Sequence, residues 1–497
     1  MRKSIIYFFI AVFFVGFLVP FAQVPAAPTA DVVVISTGVQ TTTALTDMVT
    51  KFNTEVADGF TVTLQESTWE TQNQHDTYVT KLAAKDSSID IISMDVIWPP
   101  EFTAAGWLEP LDDLFAETGY EKEEYLEAPI KAGFYNGKQY GVPWFHDSAM
   151  LYYRADILKY AADNAIIPAN RAPLSWAELR DWTRSMLADD DLVTQFAGTD
   201  GILHGFVWQA REYEGMICDF MEYLGGTGQL SFLSEDDEPL FNTTEARKTL
   251  EFMKSLFTSV EIGGNTVQAS PDTVLTYHEE TSRAVWNGGN AIFHRNWPYC
   301  YRLSMDNEFL NGSLGSYLNA SLDSQKVFGV TPMPKMDATV SATDARTSCL
   351  GGWQLGLNVY SKQKDNAKEF IKWLTDYDQQ KYYLLNGGQI PTRIDVYNDA
   401  GVLASDQAYV NELFPVFEKA LPRPVHPDYP AMSKAIWSPM HLYLVGSSTL
   451  NEATAAMDQA VEDVLAEGAA PSGINDLAAL ALFSMGVLVI YKRKKRN

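Results

Sequence analysis

Two periods of apolar and polar positions alternate along the chain, one typical of strands and the other of helices. Residues 32–35 form a continuous apolar run, and residues 60–64 alternate between apolar and polar positions, so both are predicted strands. Between them, residues 45–52 place apolar side chains at helical spacing. Because runs of the two kinds continue in turn along the chain, the pattern predicts an α/β fold built from parallel strand–helix units.

Further elements of both kinds follow this start. Strands are predicted at residues 89–95, 151–154, 291–293, 328–330 and 351–357, and helices at residues 78–85, 213–224, 281–286, 366–377 and 450–467. Ser175 followed by Glu178 has the form of a capping box, which predicts the start of a helix. Because roughly 440 residues exceed the usual size of one hydrophobic core, two domains are expected.

The two ends of the chain differ from this body in composition. Residues 1–30 combine a basic start, an apolar run and small residues, which is the pattern of a secretory signal peptide. Residues 474–491 are almost entirely apolar and residues 492–497 are mostly basic, which predicts a transmembrane anchor and a cytoplasmic tail. Residues 468–473 then serve as a short tether. The alternative is that the last apolar segment docks on the body as a helix.

The body is acidic, since the whole chain has a formal net charge of −26 although both ends are basic. This charge argues against nucleic-acid binding, which needs basic surfaces. The three cysteines are too few for a disulfide framework, although one pair can form outside the cell, with Cys300 and Cys349 the expected partners. Asn242, Asn311 and Asn319 begin sequences that have the form of glycosylation acceptors.

The sequence contains no motif of a serine hydrolase, a zinc metalloprotease, a phosphate-binding loop or a paired-cysteine redox site. Its seven histidines lack the spacing of metal ligands, so we expect no metal, no other cofactor and no catalytic residue. Only His146, beside Asp147, is expected near a ligand site. Carboxylates are numerous, so their count alone does not exclude a glycoside hydrolase, which needs two of them.

Two aromatic residues follow the predicted strand at residues 291–293. Pro298 fixes the turn that presents Trp297 and Tyr299, so both rings are expected on a stiff loop beyond the strand. Loops on a rigid scaffold often carry binding residues, although aromatic residues also fill cores. Asp95 ends an apolar strand, at the edge where open α/β sheets bind their ligands. These positions are candidates for a binding site.

Several segments resemble those of the extracellular solute-binding proteins of carbohydrate ABC importers, most of all the trehalose/maltose-binding branch. They occur in the family's order at residues 94–98, 105–113, 151–156, 205–209, 213–215, 295–299, 350–353 and 422–424. The resemblance implies a non-enzymatic protein with a type II periplasmic-binding-protein-like fold, in which two α/β lobes close on a ligand.

The resemblance also implies how the chain is divided between the lobes. Residues 31–145 together with 328–380 are assigned to the first lobe, and residues 146–327 together with 381–467 to the second. Crossovers between the lobes are expected near residues 145–148, 326–334 and 377–391.

The family's polar ligand residues carry over one at a time to matching positions. Asp95 and Asp147 match carboxylates that accept hydrogen bonds from sugar hydroxyls, and Arg423 matches a donor to the sugar. Gly352 matches a backbone contact. These roles agree with the chemistry, because an ionised carboxylate only accepts and an arginine only donates. The alternatives are that the two aspartates cap local structure and that Arg423 forms a surface ion pair.

The aromatic ligand residues carry over in the same way. Trp297, Tyr299 and Trp353 match rings that stack on the apolar faces of a sugar. Phe145 occupies the position of a tyrosine in relatives, so one hydroxyl contact is missing. Relatives also carry a glutamate near Thr41, where this chain has threonines. These two differences leave the identity of the sugar open.

The resemblance and the two ends together predict a monomeric protein outside the cell, attached to the membrane by one C-terminal span. It is expected to capture a di- or oligosaccharide of the trehalose or maltose type and to deliver it to an ABC transporter permease. A surface sensor or adhesion protein with the same fold is the first alternative, because the anchor suits either function. A glycoside hydrolase is the second alternative.

Overall fold

The computed structural model describes residues 31–38, 42–67, 70–117, 120–307, 310, 327–336 and 348–468. The predicted signal peptide, transmembrane anchor and basic tail lie outside these ranges, and so do Thr41, Asn311 and Asn319. Within the ranges, no helix combines the length and the apolar character of a membrane span. The third glycosylation candidate, Asn242, is exposed at the surface.

The strands occur along the whole described chain, in nearly the positions that the apolar pattern predicts. Their bounds are β1 Asp31–Thr37, β2 Phe60–Glu66, β3 Ile91–Asp95, β4 Phe134–Tyr135, β5 Lys138–Gln139, β6 Gly141–Ser148, β7 Met150–Arg154, β8 His204–Val207, β9 Val260–Ile262, β10 Asn265–Val267, β11 Ala291–Asn296, β12 Phe328–Thr331 and β13 Leu350–Leu357.

The helices lie between these strands and dominate the C-terminal part. Their bounds are α1 Thr43–Lys51, α2 Thr71–Ala83, α3 Pro99–Ala104, α4 Glu127–Ala132, α5 Ala155–Asp163, α6 Trp176–Leu187, α7 Asp190–Phe196, α8 Glu214–Gly225, α9 Thr244–Leu256, α10 Glu279–Asn287, α11 Tyr299–Met305, α12 Lys364–Leu374, α13 Tyr377–Gly387, α14 Ala400–Leu403, α15 Tyr409–Glu418, α16 Tyr429–Leu444 and α17 Leu450–Gly468. Shorter helical turns occur at Phe52–Val56, Leu114–Ala116, Lys122–Glu124, Asp272–Thr276 and Ile394–Asn398.

Two helix ends show how local sequence sets these bounds. Ser175 Oγ accepts a hydrogen bond from the backbone N–H of Glu178, which starts α6 at the predicted capping position. The helix predicted at residues 366–377 is α12, which ends earlier, at Leu374, because Asp376 caps the next helix through the backbone N–H of Tyr377. An aspartate favours this N-terminal position because its side chain satisfies an otherwise unpaired N–H.

The first large sheet has five strands in the order β2-β1-β3-β13-β6. β1 is parallel to β2 and β3, as the alternating strand and helix pattern predicts. β13 is antiparallel to β3 and to β6, so the sheet is mixed rather than wholly parallel. This strand returns from a distant part of the chain, and a local pattern does not fix its direction. Val33, Ile35 and Leu355 are fully buried in the core of this sheet.

The second large sheet has four strands in the order β12-β7-β11-β8. β7 is antiparallel to β11 and β12, and β11 is parallel to β8. Only Ala149 separates β6 of the first sheet from β7 of the second, so the chain crosses between lobes close to the expected residues 145–148. Because the link is so short, the end of β6 in the first lobe lies directly beside the start of β7 in the second.

Two segments pack with a different lobe from the one assigned by resemblance. β12 pairs with β7, so residues 328–331 lie in the second sheet rather than with the first lobe. The helices α13 and α15 pack against α1 and β6 of the first lobe, although residues 381–418 were assigned to the second. Gln380 fixes α13 there by donating a hydrogen bond to the carbonyl of Trp144 at 2.8 Å. In contrast, α16 and α17 pack against α8 and α9 of the second lobe.

The later crossovers shift accordingly. One lies between Thr331 at the end of β12 and Leu350 at the start of β13, so it overlaps the expected residues 326–334 only in part. The other lies at residues 419–428, between α15 and α16, rather than at residues 377–391. A hydrogen bond of 2.8 Å from Leu421 N to Ser348 O joins the two crossover segments. An amphipathic helix can cover either sheet, so its sequence alone does not decide the lobe.

The cysteines do not form the expected disulfide, because Cys218, Cys300 and Cys349 are all free and buried. Cys300 Sγ lies 3.7 Å from Ser304 Oγ, one turn further along α11. Cys349 Sγ instead donates to Leu350 O at 3.6 Å, and the neighbouring Cys349 thiol together with burial raises the pKa of the Cys218 thiol well above its usual range. The predicted pairing of Cys300 with Cys349 is therefore wrong.

We predict that the purified protein, unfolded without a reductant, contains three reactive thiols. The native protein should react much more slowly, because all three sulfur atoms are buried. Alkylation followed by mass spectrometry measures both states, and a sample reduced before unfolding is the control. A loss of two thiols relative to that control would contradict the prediction, and the alkylated peptides would identify the bridged pair.

Candidate functional site

A cavity of about 600 Å³ lies between the two sheets and is lined by residues of both lobes. All of the ligand residues carried over from the family line this one cavity. They are Asp95, Phe145, Asp147, Trp297, Tyr299, Gly352, Trp353 and Arg423. The sequence positions predicted separately are thus brought together in space by the fold.

Strand register brings part of this set together on the first sheet. Asp95 at the end of β3 pairs with Trp353 of β13, and Trp353 pairs in turn with Phe145 of β6. The three side chains therefore lie side by side on neighbouring strands. The Trp353 ring packs edge-on against the buried Trp98 ring, at 5.4 Å between centroids, which fixes its orientation.

Side-chain alternation along β6 decides which neighbours face the cavity. Phe145 and Asp147 are two residues apart and both line it, whereas the residue between them points the other way. That residue, His146, is fully buried, lies 2.8 Å from Ser148 Oγ, and burial lowers its pKa to about 3. His146 therefore lies near the cavity, as expected, but its side chain does not line it. The histidine that does line the cavity is His278, which caps α10.

Trp297 and Tyr299 reach the cavity from the second sheet, just beyond the end of β11. Trp297 lies in the short link after β11, but Tyr299 is the first residue of α11 rather than part of a loop. Their polar atoms are held by adjacent carboxylates of α10. Trp297 Nε1 donates to Glu279 Oε1 at 3.4 Å, and Tyr299 OH donates to Glu280 Oε1 at 2.7 Å. The polar atoms of both rings are thereby satisfied within the protein.

A buried arginine supports the Trp297 ring. The Arg295 guanidinium carbon lies 4.1 Å from the centroid of that ring. Arg295 is itself fixed by Glu222, through Nε at 3.1 Å and a second short contact, and by Gln209 Oε1 at 2.9 Å. A cation against an aromatic face is attractive, and more so when both are removed from water. The ring is therefore held in place before any ligand binds.

Glycines of β13 allow the lobes to approach each other. A side-chain carbon at Gly351 would lie 3.0 Å from Trp297 Cζ3, so the tryptophan of the second lobe packs directly over this backbone of the first. Gly352 has φ +103°, a conformation that other residues rarely adopt, and a carbon added there would lie 2.5 Å from Phe145 O. The tight floor of the cavity therefore requires glycine at both positions.

Arg423 links the two lobes at the base of the cavity. Its Nη1 donates to Glu214 Oε1 of α8 at 2.7 Å, and its Nη2 donates to Asp95 Oδ1 of β3 at 3.1 Å. Nη2 also lies 3.3 Å from Leu350 O. The side chain is 2% exposed, so it is a buried bridge and not the surface ion pair considered as an alternative. Its Nε has no hydrogen-bond partner among the described residues and remains available as a donor.

Asp147 lacks the partners that the other cavity acids have. Its Oδ1 is buried and accepts no hydrogen bond from the part of the chain that the structure describes. Burial raises the pKa of this carboxyl well above its usual range, and the negative charge of Asp95 adds to the rise, opposed by Arg295. Burial also raises the pKa of Asp95, although Arg423 counters it. Asp147 is therefore the cavity carboxyl with most to gain from a hydrogen-bond donor.

Several lining residues were not predicted from the sequence. Glu279 and Glu280 were missed because acids in the first turn of a helix are common for electrostatic reasons alone. Tyr213 and Glu214 belong to a segment that resembles the family, yet no role was carried over to them. No sequence pattern marked Trp437, on α16, as a residue of the cavity. Among the described residues, no group of His, Cys, Asp and Glu is arranged to hold a metal ion.

The chain matches known proteins along most of its length. Residues 47–409 match the family model described as bacterial extracellular solute-binding protein. A probable ABC transporter-binding protein of Deinococcus radiodurans is 29% identical over 414 residues, which cover 83% of this chain and 84% of that protein. A mannitol-binding protein of Pseudomonas aeruginosa is 21% identical over 402 residues, covering 76% and 81%. The structure of maltose-bound T. maritima MalE3 superposes with a TM-score of 0.70 at 32% identity, covering 88% of this chain and all of that one (100%).

We predict that Asp147→Asn stabilises the ligand-free protein at neutral pH. The folded carboxyl has a pKa above its ordinary value of 3.8, so the folded state binds this proton more tightly than the unfolded state does. Its contribution to stability therefore falls as pH rises from about 4 through the raised pKa. The melting temperature of the variant should exceed that of the wild type at pH 8, and the difference should shrink towards pH 4.

The control for this prediction is Asp236→Asn, which changes an exposed carboxylate in a turn. It should shift the melting temperature little at either pH. Lower stability of Asp147→Asn at every pH would mean that the ionised carboxylate is stabilised by its surroundings, contrary to the prediction.

Proposed function

The chain belongs to the family of bacterial extracellular solute-binding proteins, and on that basis we propose that it captures a saccharide between its lobes for an ABC importer. Its family consists of binding proteins rather than enzymes, which removes the glycoside hydrolase from consideration. The observation that carries the proposal is the composition of the cavity, which combines aromatic rings with carboxylates from both lobes.

The match between cavity and sugar is chemical. A pyranose has apolar C–H faces and a rim of hydroxyl groups. For the C–H faces, the cavity offers the rings of Trp297, Tyr299 and Trp353. For the hydroxyl groups, it offers Asp147 Oδ1 as a hydrogen-bond acceptor. Arg423 Nε offers a donor that the described protein does not use. The proposed ligand thus satisfies the buried polar atoms that the protein leaves without partners.

Binding is coupled to closure because the ligand contacts come from both lobes. Asp95, Asp147 and Trp353 belong to strands of the first sheet, whereas Trp297 and Tyr299 follow a strand of the second. A ligand shifts the equilibrium between open and closed forms only by its difference in affinity for them. A sugar that touches both sets of residues favours the closed form, which is the form an importer would recognise.

The ligand class is a di- or oligosaccharide of the maltose or trehalose type. This choice rests on the 32% identity with a protein solved with bound maltose. Mannitol, named for a more distant relative, is the principal competing ligand. Phe145 in place of a tyrosine removes one hydroxyl from the wall of the cavity and favours a ligand with an apolar face at that point.

The proposal includes a position at the cell membrane. The apolar residues 474–491 and the basic residues 492–497 support a single C-terminal span, with the binding lobes outside the cell and acting as a monomer. The partner is then the permease of the importer in the same membrane. A sensor or adhesion protein with this anchor would bind the same sugars without transport.

We predict that calorimetry on common sugars, polyols, amino acids and peptides finds the tightest binding for a maltose- or trehalose-type sugar. Trp297→Ala should raise the dissociation constant by about 10- to 100-fold, since a stacking ring contributes roughly 1–3 kcal/mol, by analogy with base stacking. Small-angle scattering should show compaction of the wild type with sugar and much less for the variant. Tight peptide binding with no response to sugars would contradict the proposal.

A matched control is Trp373→Ala, which removes another half-buried tryptophan. Its ring packs against Phe52, with 5.1 Å between centroids, and it does not line the cavity. This variant should lower the melting temperature and leave the dissociation constant unchanged. The opposite result for Trp297→Ala, loss of fold with normal binding per folded molecule, would place that ring in a core.

We predict that the full chain fractionates with membranes, whereas a chain ending at Gly468 is released and binds sugar normally. The last described helix, α17, ends at Gly468, and the apolar run follows it in the sequence. Fractionation of expressing cells and calorimetry on the shorter chain make the comparison. Loss of binding in the shorter chain would show that the C-terminal segment belongs to the fold.

A further inference from the structure

The first turn of α10 holds the polar atoms of three aromatic side chains that line the cavity. Glu279 accepts a hydrogen bond from Trp297 Nε1 at 3.4 Å and one from Tyr213 OH at 2.9 Å. Glu280, the next residue, accepts one from Tyr299 OH at 2.7 Å. The three rings come from different elements, namely the link after β11, the residue before α8 and the start of α11. Their placement therefore depends on the position of this one helical turn.

The charge states of these groups suit the hydrogen bonds that they form. Burial raises the pKa of Tyr299 well above its usual range, and the charge of Glu280 adds to the rise, so the hydroxyl keeps its proton and donates. Burial opposes ionisation of Glu280, but hydrogen bonds from Arg283 and Tyr299 outweigh it and lower the pKa of this carboxyl. Glu280 therefore remains an ionised acceptor, fixed between Arg283 of its own helix and Tyr299 of α11.

The rest of α10 is anchored in the core of the second lobe. Trp286 is fully buried and its Nε1 donates to Ser304 Oγ at 3.0 Å, and Gln209 Nε2 donates to the buried Ser282 Oγ at 2.7 Å. Residues 278–280, in contrast, are only half-buried. The first N–H groups of a helix have no partner within the helix, and helix ends fray. The turn that holds the rings is therefore the part of α10 that depends most on its cap.

A histidine provides this cap. His278 Nδ1 accepts a hydrogen bond from the backbone N–H of Glu280 at 3.3 Å, and the backbone N–H of His278 donates to Thr281 Oγ1 at 2.8 Å. Together these bonds form a capping box. Serine, threonine, aspartate and asparagine are the usual residues at this position. The cap binds Glu280 directly, and it fixes Glu279 because that residue lies between the two capping partners.

From this arrangement we propose that His278 is a positioning residue, which caps α10 and thereby holds the rings of Trp297 and Tyr299 ready for a saccharide. The proposal rests on the proposed function, since it assumes a saccharide in this cavity. Without the cap, the first turn of α10 frays and releases the two rings for part of the time. Only the fraction of molecules with both rings in place binds at full strength, so the apparent affinity falls.

The test measures maltose and trehalose binding to the full chain by calorimetry, with three substitutions of His278. His278→Ala removes the cap and should raise the dissociation constant about three- to tenfold, the range expected for the loss of one cap. His278→Ser supplies a short capping oxygen that does not extend into the cavity, and it should recover most of the lost affinity. His278→Gln keeps a long polar side chain but caps poorly, so it should bind as weakly as His278→Ala.

Two further comparisons separate positioning from general stability. Asp189 caps α7 by accepting a hydrogen bond from Leu192 N at 2.8 Å, and it does not line the cavity. Asp189→Ala should lower the melting temperature about as much as His278→Ala does, but leave the dissociation constant unchanged. Tyr299→Phe removes the hydroxyl that Glu280 holds and keeps the ring. In that background, His278→Ala should weaken binding by a smaller factor than in the wild type, because one ring is already released.

The outcomes distinguish this proposal from the proposed function. Failure of His278→Ser to recover affinity would show that His278 does not act as a cap, and normal binding by His278→Gln would assign the imidazole a direct contact with the sugar. Unchanged dissociation constants in all three variants, or fully additive losses with Tyr299→Phe, would show that the cap does not position the rings. Each of these results overturns the proposal and leaves a saccharide-binding protein. If the wild type binds no saccharide at all, the proposed function fails and the role of His278 with it.

Discussion

The cavity depends on one buried arginine that holds carboxylates from both lobes. Arg423 lies in the last crossover and donates to Asp95, at the end of β3, and to Glu214, at the start of α8. Removing one partner of such a buried pair leaves an uncompensated charge and costs about 3–5 kcal/mol. The spacing of the lobes at this point is therefore set by hydrogen-bond geometry rather than by loose surface contact. The close approach of Trp297 to Gly351 depends on the same spacing.

A second buried arginine performs a related task within the second lobe. Arg295 is held by Glu222 and lies 3.6 Å from Asp219 Oδ1, and it carries the Trp297 ring on its guanidinium. The two arginines have complementary roles. Arg423 fixes the point at which the lobes meet, and Arg295 fixes the Trp297 ring in the space between them. Preorganisation of this kind lowers the entropy lost when a ligand orders its contacts. The aromatic wall is therefore as rigid as the strands that support it.

Sequence reasoning identified many of the residues that line the cavity, because they lie at strand ends that local patterns mark. Asp95 ends an apolar strand, and Trp297 and Tyr299 follow another. All three positions can therefore be predicted from the sequence pattern before the fold is known. The side on which a residue faces could be predicted only in part, as His146 shows, because β6 is buried along nearly its whole length and has no exposed face to orient it. The lobe to which α13 and α15 belong also could not be predicted from the sequence. It is decided by tertiary contacts such as the hydrogen bond from Gln380 to Trp144 O. Trp437 was missed for the same reason, since only the fold brings α16 to the cavity.

The charges of the cavity restrict what it accepts. Glu214, Glu279 and Glu280 already accept hydrogen bonds from protein side chains, and Asp95 is paired with Arg423. Asp147 is different, because its Oδ1 has no partner among the described residues and its ionised form is disfavoured by burial and by Asp95. An anionic ligand would add negative charge beside these carboxylates and raise that cost, since like charges in a poorly solvated space repel strongly. A neutral ligand rich in hydroxyl groups instead donates to Asp147 without adding charge. The electrostatics of the cavity therefore favour uncharged polyhydroxy compounds over phosphorylated or acidic sugars, independently of family resemblance.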